Sequence, residues 1–204
     1  MKIKKINRMV VKIGSSLLID KDKGVNNNFL NNISEDIVSL KKGGIETLIV
    51  SSGAIELGKI ELNKTKEKFN LSESQAASSI GQIKLINAWK DSLGKFNLNA
   101  AQILITAEDT ENRKRFLNAR STIEELMREK YIPIINENDT VATSEIRYGD
   151  NDRLAARIAG MVAADCLILL SNVEGLYERD PSNEESRLVS NVEIIDKSVT
   201  DMAG

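Results

Sequence analysis

Five short, nearly continuous apolar runs constrain this chain more than any other feature. They are Met9 to Ile13 (MVVKI), Ile45 to Val50 (IETLIV), Asn99 to Thr106 (NAAQILIT), Ile132 to Ile135 behind Tyr131, and Cys166 to Leu170 (CLILL). Strands with one face in water alternate apolar and polar residues. Strands without that alternation are buried on both faces, as in a parallel sheet covered by helices. The intervening segments have helical spacing. Phe29 to Lys42 places Phe29, Leu30, Ile33, Ile37, Val38 and Leu40 on one stripe, with Gly43-Gly44 as the stop. Helices are also expected from Ala54 to Leu62, from Ser72 (or Ser74, as cap) to Leu93, from Arg113 to Lys130 and from Asp152 to Ala164. Val192 to Ile195 reads as one further strand, and Asn63 to Asn70 as an exposed loop. Strands alternating with helices give the α/β class, a three-layer αβα sandwich with a largely parallel central sheet.

Composition removes several kinds of chemistry. There is no histidine in the 204 residues, so His-based triads, proton shuttles and His metal sites are excluded. What remains is Lys, Asp, Asn, Ser and backbone dipoles. A net charge of −2 gives no reason to expect nucleic acid or a membrane surface as partner. No apolar run approaches a bilayer's thickness, and no signal-peptide core follows the basic MKIKKINR. Cys166, the one cysteine, sits inside CLILL as a small core residue, which fits a reducing cytoplasm.

In open parallel sheets, ligands bind beyond the carboxyl ends of the strands. Four such ends carry polar turns here. The densest follows Ile135, with Asn136, Glu137, Asn138 and Asp139, then Asp150, Asn151 and Asp152. That set suits a small ligand bearing both cationic and anionic groups; a solvated loop of turn-forming Asn and Asp is the plainer alternative. Lys12 precedes Gly14-Ser15-Ser16. A lysine within an apolar strand needs an anionic partner unless it points to solvent from a sheet edge, and a glycine-serine turn can present amides to phosphate. Ser51-Ser52-Gly53-Ala54 opens a helix, where anions are favoured and where Ser52 could equally be an N-cap. Ser171-Asn172 follows CLILL and alone says only that a loop begins. Gly53 to Lys59 has P-loop spacing, but Ile60 replaces the required hydroxyl and Gly58-Lys59 would lie within a helix, so the match is accidental. The dinucleotide fingerprint G-x-G-x-x-G is absent.

Taken together, VVKIGSS (10–16), VSSGAIELG (50–58), RFLNAR (115–120), INENDTVAT (135–143), GDND (149–152) and SNVEGLYERDP (171–181) resemble the amino acid kinase family, and within it the kinases of the glutamate side chain. INENDTVAT followed by GDND is the specific part. The resemblance implies the amino acid kinase fold over 1–204 and transfer of phosphate from ATP, with Mg2+ carried by the nucleotide. The acceptor would be the γ-carboxylate of L-glutamate, in the first step of proline biosynthesis. It implies that Lys12 and Asp152 are catalytic, Lys12 neutralising the transferring phosphoryl group and Asp152 holding the lysine. Ser52, Asp139, Asn151 and Asn136 would bind glutamate, with Asp139 on its ammonium. Gly14, Ser15, Ser171 and Asn172 would join Lys12 on ATP, although the family more often has Asp where Asn172 stands. It further implies proline as feedback inhibitor and a homo-oligomer. The family's GTGGM-x-TK segment and PUA domain do not follow Gly204, so the domain is expected to be incomplete at its C-terminus and its turnover weak. A non-catalytic glutamate- or proline-binding module, or a kinase of another carboxylate or carbamate, are the competing readings.

Overall fold

The computed structural model describes residues 5–20, 22–65, 68–142, 150–182 and 186–202. In chain order the elements are β1 (Arg8–Ile13), α1 (Ser15–Leu18), β2 (Ile19–Asp20), β3 (Gly24–Val25), α2 (Asn27–Lys42), β4 (Glu46–Ser51), α3 (Ala54–Glu61), α4 (Leu71–Gly94), β5 (Asn99–Ile105), α5 (Ala107–Glu111), α6 (Arg113–Arg128), β6 (Tyr131–Glu137), α7 (Asp150–Met161), β7 (Cys166–Leu170) and α8 (Lys197–Met202). All five apolar runs are strands of one sheet, ordered β5-β6-β4-β1-β7. Every pairing in it is parallel. The small β2–β3 pair is an antiparallel ribbon.

Residue parity sorts the core into two layers. Met9, Val11 and Ile13 of β1, Ile49 of β4, and Ile132 and Ile134 of β6 pack with Leu30 and Ile37 of α2, Leu57 of α3, and Leu85, Trp89 and Leu93 of α4. Their alternates Val10, Leu48, Val50 and Ile135 pack with Ile123 of α6 and Leu154, Ile158 and Met161 of α7. Period-2 strands between period-3.6 helices thus make the expected αβα sandwich. Lys12 shares the parity of Val10 and so lies on the α7 face. Since β1 has β4 on one side and β7 on the other, the edge-strand reading of Lys12 is excluded.

The structure differs from expectation mostly at element ends. Asn70, and neither Ser72 nor Ser74, caps α4; its side chain accepts the Glu73 amide while the Glu73 carboxylate accepts the Asn70 amide. An amide side chain reaches that N–H as well as a hydroxyl does. The helix α5, unforeseen in the sequence, arises because Thr106 and Asp109 make the same reciprocal cap right after β5. Val192 to Ile195 is not a strand: Ile194 and Ile195 are exposed and nothing there completes a ladder. No helix among the described residues is long and apolar enough to cross a membrane.

Contacts divide the chain into two units, residues 1–170 and 171–204. The second holds an antiparallel bridge between Tyr177 and Leu188 and the helix α8. Asp180-Pro181 turns there as its composition suggests, with Asp180 Oδ1 accepting from the Ser182 amide and hydroxyl.

Candidate functional site

The register levels the carboxyl ends of the central strands: Ile13 pairs with Ser51 of β4 and with Leu170 of β7. Ser52 continues this edge, its amide donating to the Ile13 carbonyl at 3.1 Å. Lys12 is 8% exposed, and its ammonium lies 2.6 Å from Asp152 Oδ1 in the first turn of α7. A carboxylate at a helix start is itself favoured by the exposed amides there. Ion pairing is what permits a lysine to be buried on this face at all. The lysine approaches the turn after β1, where a Cβ added at Gly14 would sit 3.7 Å from Nζ, an ordinary contact. The Gly14 amide donates to the Leu170 carbonyl at 3.0 Å and is thereby engaged within the sheet edge. Ser15 begins α1, where a helix has no carbonyl behind its first amides.

Gly53, with φ 108°, is the N-cap of α3, and no side chain caps that helix. This overturns Ser52 as the cap. The left-handed turn requires glycine, because a Cβ would also lie 2.9 Å from Ile19 Cγ1. Freed from capping, the Ser52 hydroxyl accepts from Asn151 Nδ2 at 2.6 Å. Ser51 points the other way, accepting from Trp89 Nε1 at 2.9 Å in the core.

Asn136 ends β6 on the α4 face and is 3% exposed. Its Nδ2 donates to Gln82 Oε1 at 2.7 Å, and its Oδ1 accepts from Asn151 Nδ2 at 3.4 Å. Asp139 is buried, and its Oδ2 accepts from Ser78 Oγ at 2.5 Å. Ser78 and Gln82 are therefore members of the cluster that sequence reading did not find. The signal was there: 78, 82, 85 and 89 follow helical spacing, so both polar residues share the buried stripe of Leu85 and Trp89. A cavity of about 290 Å³ beside them is lined by Ser78, Gln82, Ile83, Leu104 and Asp139, among others.

Lys12, Asp152, Ser52, Asn151, Asn136 and Asp139 thus lie around the ends of β1, β4 and β6, between the two helix layers. Ser171 and Asn172 begin the second unit, where Ser171 Oγ accepts from the Val173 amide at 3.2 Å. Within the two quoted motifs, Thr143 and Gly149 lie outside the described residues. Among the described residues no group of three or more acidic or cysteine side chains could hold a metal ion. The site offers one cation and a set of neutral and acidic hydrogen-bonding groups. That combination suits a doubly functional amino acid meeting a polyanion.

Comparison with known proteins agrees with this chemistry. Residues 7–199 match the amino acid kinase family. The chain is 51% identical over 203 residues to glutamate 5-kinase 1 of Mesorhizobium japonicum, covering 99% of this chain and 54% of that protein. It is 52% identical over 204 residues to the glutamate 5-kinases of Brucella ovis and Brucella abortus, again over 54% of each. The chain spans about half the length of the curated relatives it matches.

Proposed function

The chain belongs to the amino acid kinase family, and on that footing we propose that the whole protein phosphorylates the γ-carboxylate of L-glutamate with MgATP. The observation that carries this reading is the ion pair of the buried Lys12 with Asp152, beside an amide and carboxylate cluster at the strand ends. The names of the relatives point to the same substrate.

The reaction brings two anions together. At about 4 Å, unit like charges repel by about 4 kcal/mol at an effective dielectric near 20. Phosphoryl transfer is accelerated mainly by positioning and by neutralising that charge. Lys12 would supply the neutralising cation, with Asp152 fixing its position. Gly14 and Ser15 would line the phosphates, with Ser171 and Asn172 on the nucleotide. Mg2+ travels with the triphosphate as part of the substrate and needs no protein cage. The acceptor carboxylate is already ionised at neutral pH, so no general base is required. A site without histidine is chemically sufficient. Ser52, Asn136, Asn151 and Asp139 would hold glutamate, Asp139 through its ammonium. Proline, which has an α-carboxylate and a ring ammonium, would compete for part of the same cluster. The single cysteine, Cys166, is partly buried in the edge strand β7 rather than within the core; a cytoplasmic setting and association into a homo-oligomer belong to the same proposal.

Trapping with hydroxylamine tests the reading. The whole protein should form a hydroxamate that depends on both ATP and L-glutamate, with L-aspartate a poor replacement. An ATP-dependent product from aspartate or acetylglutamate in preference to glutamate would replace this substrate with another of the family's class.

A further inference from the structure

Three amides form a relay running from α4 to α7. Gln82 Oε1 accepts from Asn136 Nδ2 at 2.7 Å, and Asn136 Oδ1 accepts from Asn151 Nδ2 at 3.4 Å. That same Nδ2 donates to Ser52 Oγ at 2.6 Å. The other end of Asn151, its Oδ1, is buried and has no donor among the described residues. Buried carbonyl oxygens are normally paired, and one that is not calls for a partner from outside the fold. Turning the Asn151 amide over would not relieve it, because Oδ1 would then face the acceptor Oδ1 of Asn136. Turning Asn136 over is opposed in the same way by Gln82 Oε1. The orientation of the relay therefore follows that of the Gln82 amide on α4.

We propose that Gln82 is a positioning residue for substrate specificity: through Asn136 it fixes the Asn151 amide so that Asn151 Oδ1 accepts an N–H from the substrate's α-ammonium, beside the carboxylate of Asp139. The inference rests on the glutamate reading above. An ammonium has three donors and no acceptor, so one carboxylate cannot satisfy it alone. Ser78, one turn before Gln82 on α4, holds Asp139 by its hydroxyl. One face of one helix thereby sets both acceptors. The alkyl chain and carboxylates of the ligand need nothing from this relay.

The test compares L-glutamate with glutarate, which lacks the α-ammonium, by titration calorimetry on the wild type, Gln82→Met and Gln82→Glu. Methionine keeps the volume and loses the acceptor, whereas glutamate at 82 keeps an oxygen where Oε1 lies. The wild type should prefer L-glutamate. Gln82→Met should lower that preference about tenfold, the effect of one misdirected hydrogen bond, with glutarate affinity unchanged within about twofold. Gln82→Glu should retain the preference. If the wild type discriminates and Gln82→Met does so equally, the inference fails while the glutamate reading stands. Equal weakening of both ligands in Gln82→Met would make Gln82 merely structural, and loss of preference in Gln82→Glu would remove the acceptor argument. A wild type that takes up neither ligand overturns the glutamate reading and this inference with it.

Discussion

At the scale of single residues, the proposed site depends on burying one charge, Lys12, and on a second, Asp139, that would receive the substrate's ammonium. Lys12 is held by Asp152 and by little else that is polar among the described residues. In the proposed reaction, removing its ammonium would take away a cation whose effect is greatest when charge moves onto the transferring phosphoryl group. Lys12→Ala in the whole protein should therefore lower kcat by roughly a hundredfold or more. Asp139→Ala should mainly raise KM for glutamate, by about tenfold, because it acts on ground and transition states alike. Equal modest changes in both constants for both variants would contradict the division of roles. A different carboxylate ties the sheet's opposite end. Asp165 Oδ2 accepts the amides of Asn7 at 2.8 Å and Arg8 at 3.0 Å, holding the entry to β1. Those two hydrogen bonds, Asn7 first, hold its carboxyl below the ordinary value of 3.8. A depressed folded pKa gives stabilisation that is present above the unfolded value and lost as pH falls through the folded one. The wild type should then outlast Asp165→Ala in thermal melts at about pH 6, with the gap closing below about pH 3.8. A gap that does not change with pH would assign the effect to something other than this carboxylate.

Among the elements, α3 and α4 matter most to the site, and two glycines set their approach. A Cβ on Gly58 would fall 1.8 Å from the Ala77 carbonyl oxygen, and one on Gly81 would fall 1.9 Å from that of Ala54. Both clashes are with backbone, so neither can be relieved by a side-chain rotation. The close crossing brings Ser78 and Gln82 within reach of the strand ends that α3 extends through Gly53 and Ser52. An exposed ion pair between Lys84 and Glu61 also links the two helices, but pairs of that kind contribute about 0–1 kcal/mol. Gly58→Ala should cost about 1–3 kcal/mol of stability, read from denaturant unfolding followed by Trp89. It should also weaken glutamate binding, whereas Lys84→Ala should do neither. The same pair of helices marks where sequence reading ran out. The strands were legible because their apolar runs are continuous, and the motif residues at their ends follow from strand-end chemistry. Gly58 was visible as the end of the VSSGAIELG motif and in a false P-loop match, but its physical reason, contact with Ala77, is a tertiary fact. Ser78 and Gln82 lie on the stripe of Leu85 and Trp89, but that stripe is interrupted by small and polar residues, so helical spacing was the one local signal that set them apart from a solvated face. The cap of α4 was misplaced because Asn70, Ser72 and Ser74 compete for the same amides, and that of α3 because the left-handed Gly53 takes the N-cap position with no side-chain cap.

Over the whole molecule, hydrogen bonding and burial are unevenly distributed along the chain, and opening should follow that distribution. In the first unit β1 is laddered on both sides, and Val10, Leu48 and Ile49 are fully buried between two helix layers. Amides of such strands exchange only when a cooperative unit opens. The site is built on the tips of these strands, and the Ser52 amide is itself tied to Ile13, which keeps the cluster on rigid supports. Among its described residues the second unit is laddered in one place: Glu178 donates to the Arg187 carbonyl and Val189 to that of Leu176. Its Ile194 and Ile195 are 77% and 80% exposed. Hydrogen exchange followed by mass spectrometry should find the slowest amides at Val10, Val11, Leu48 and Ile49. Residues 192–195 should exchange at once, and Glu178 and Val189 should be intermediate. L-Glutamate should slow the turns after β1, β4 and β6 further, and leave 192–195 unchanged. Strong protection at 192–195, or protection spread evenly over both units, would mean that burial and laddering do not govern how this chain opens.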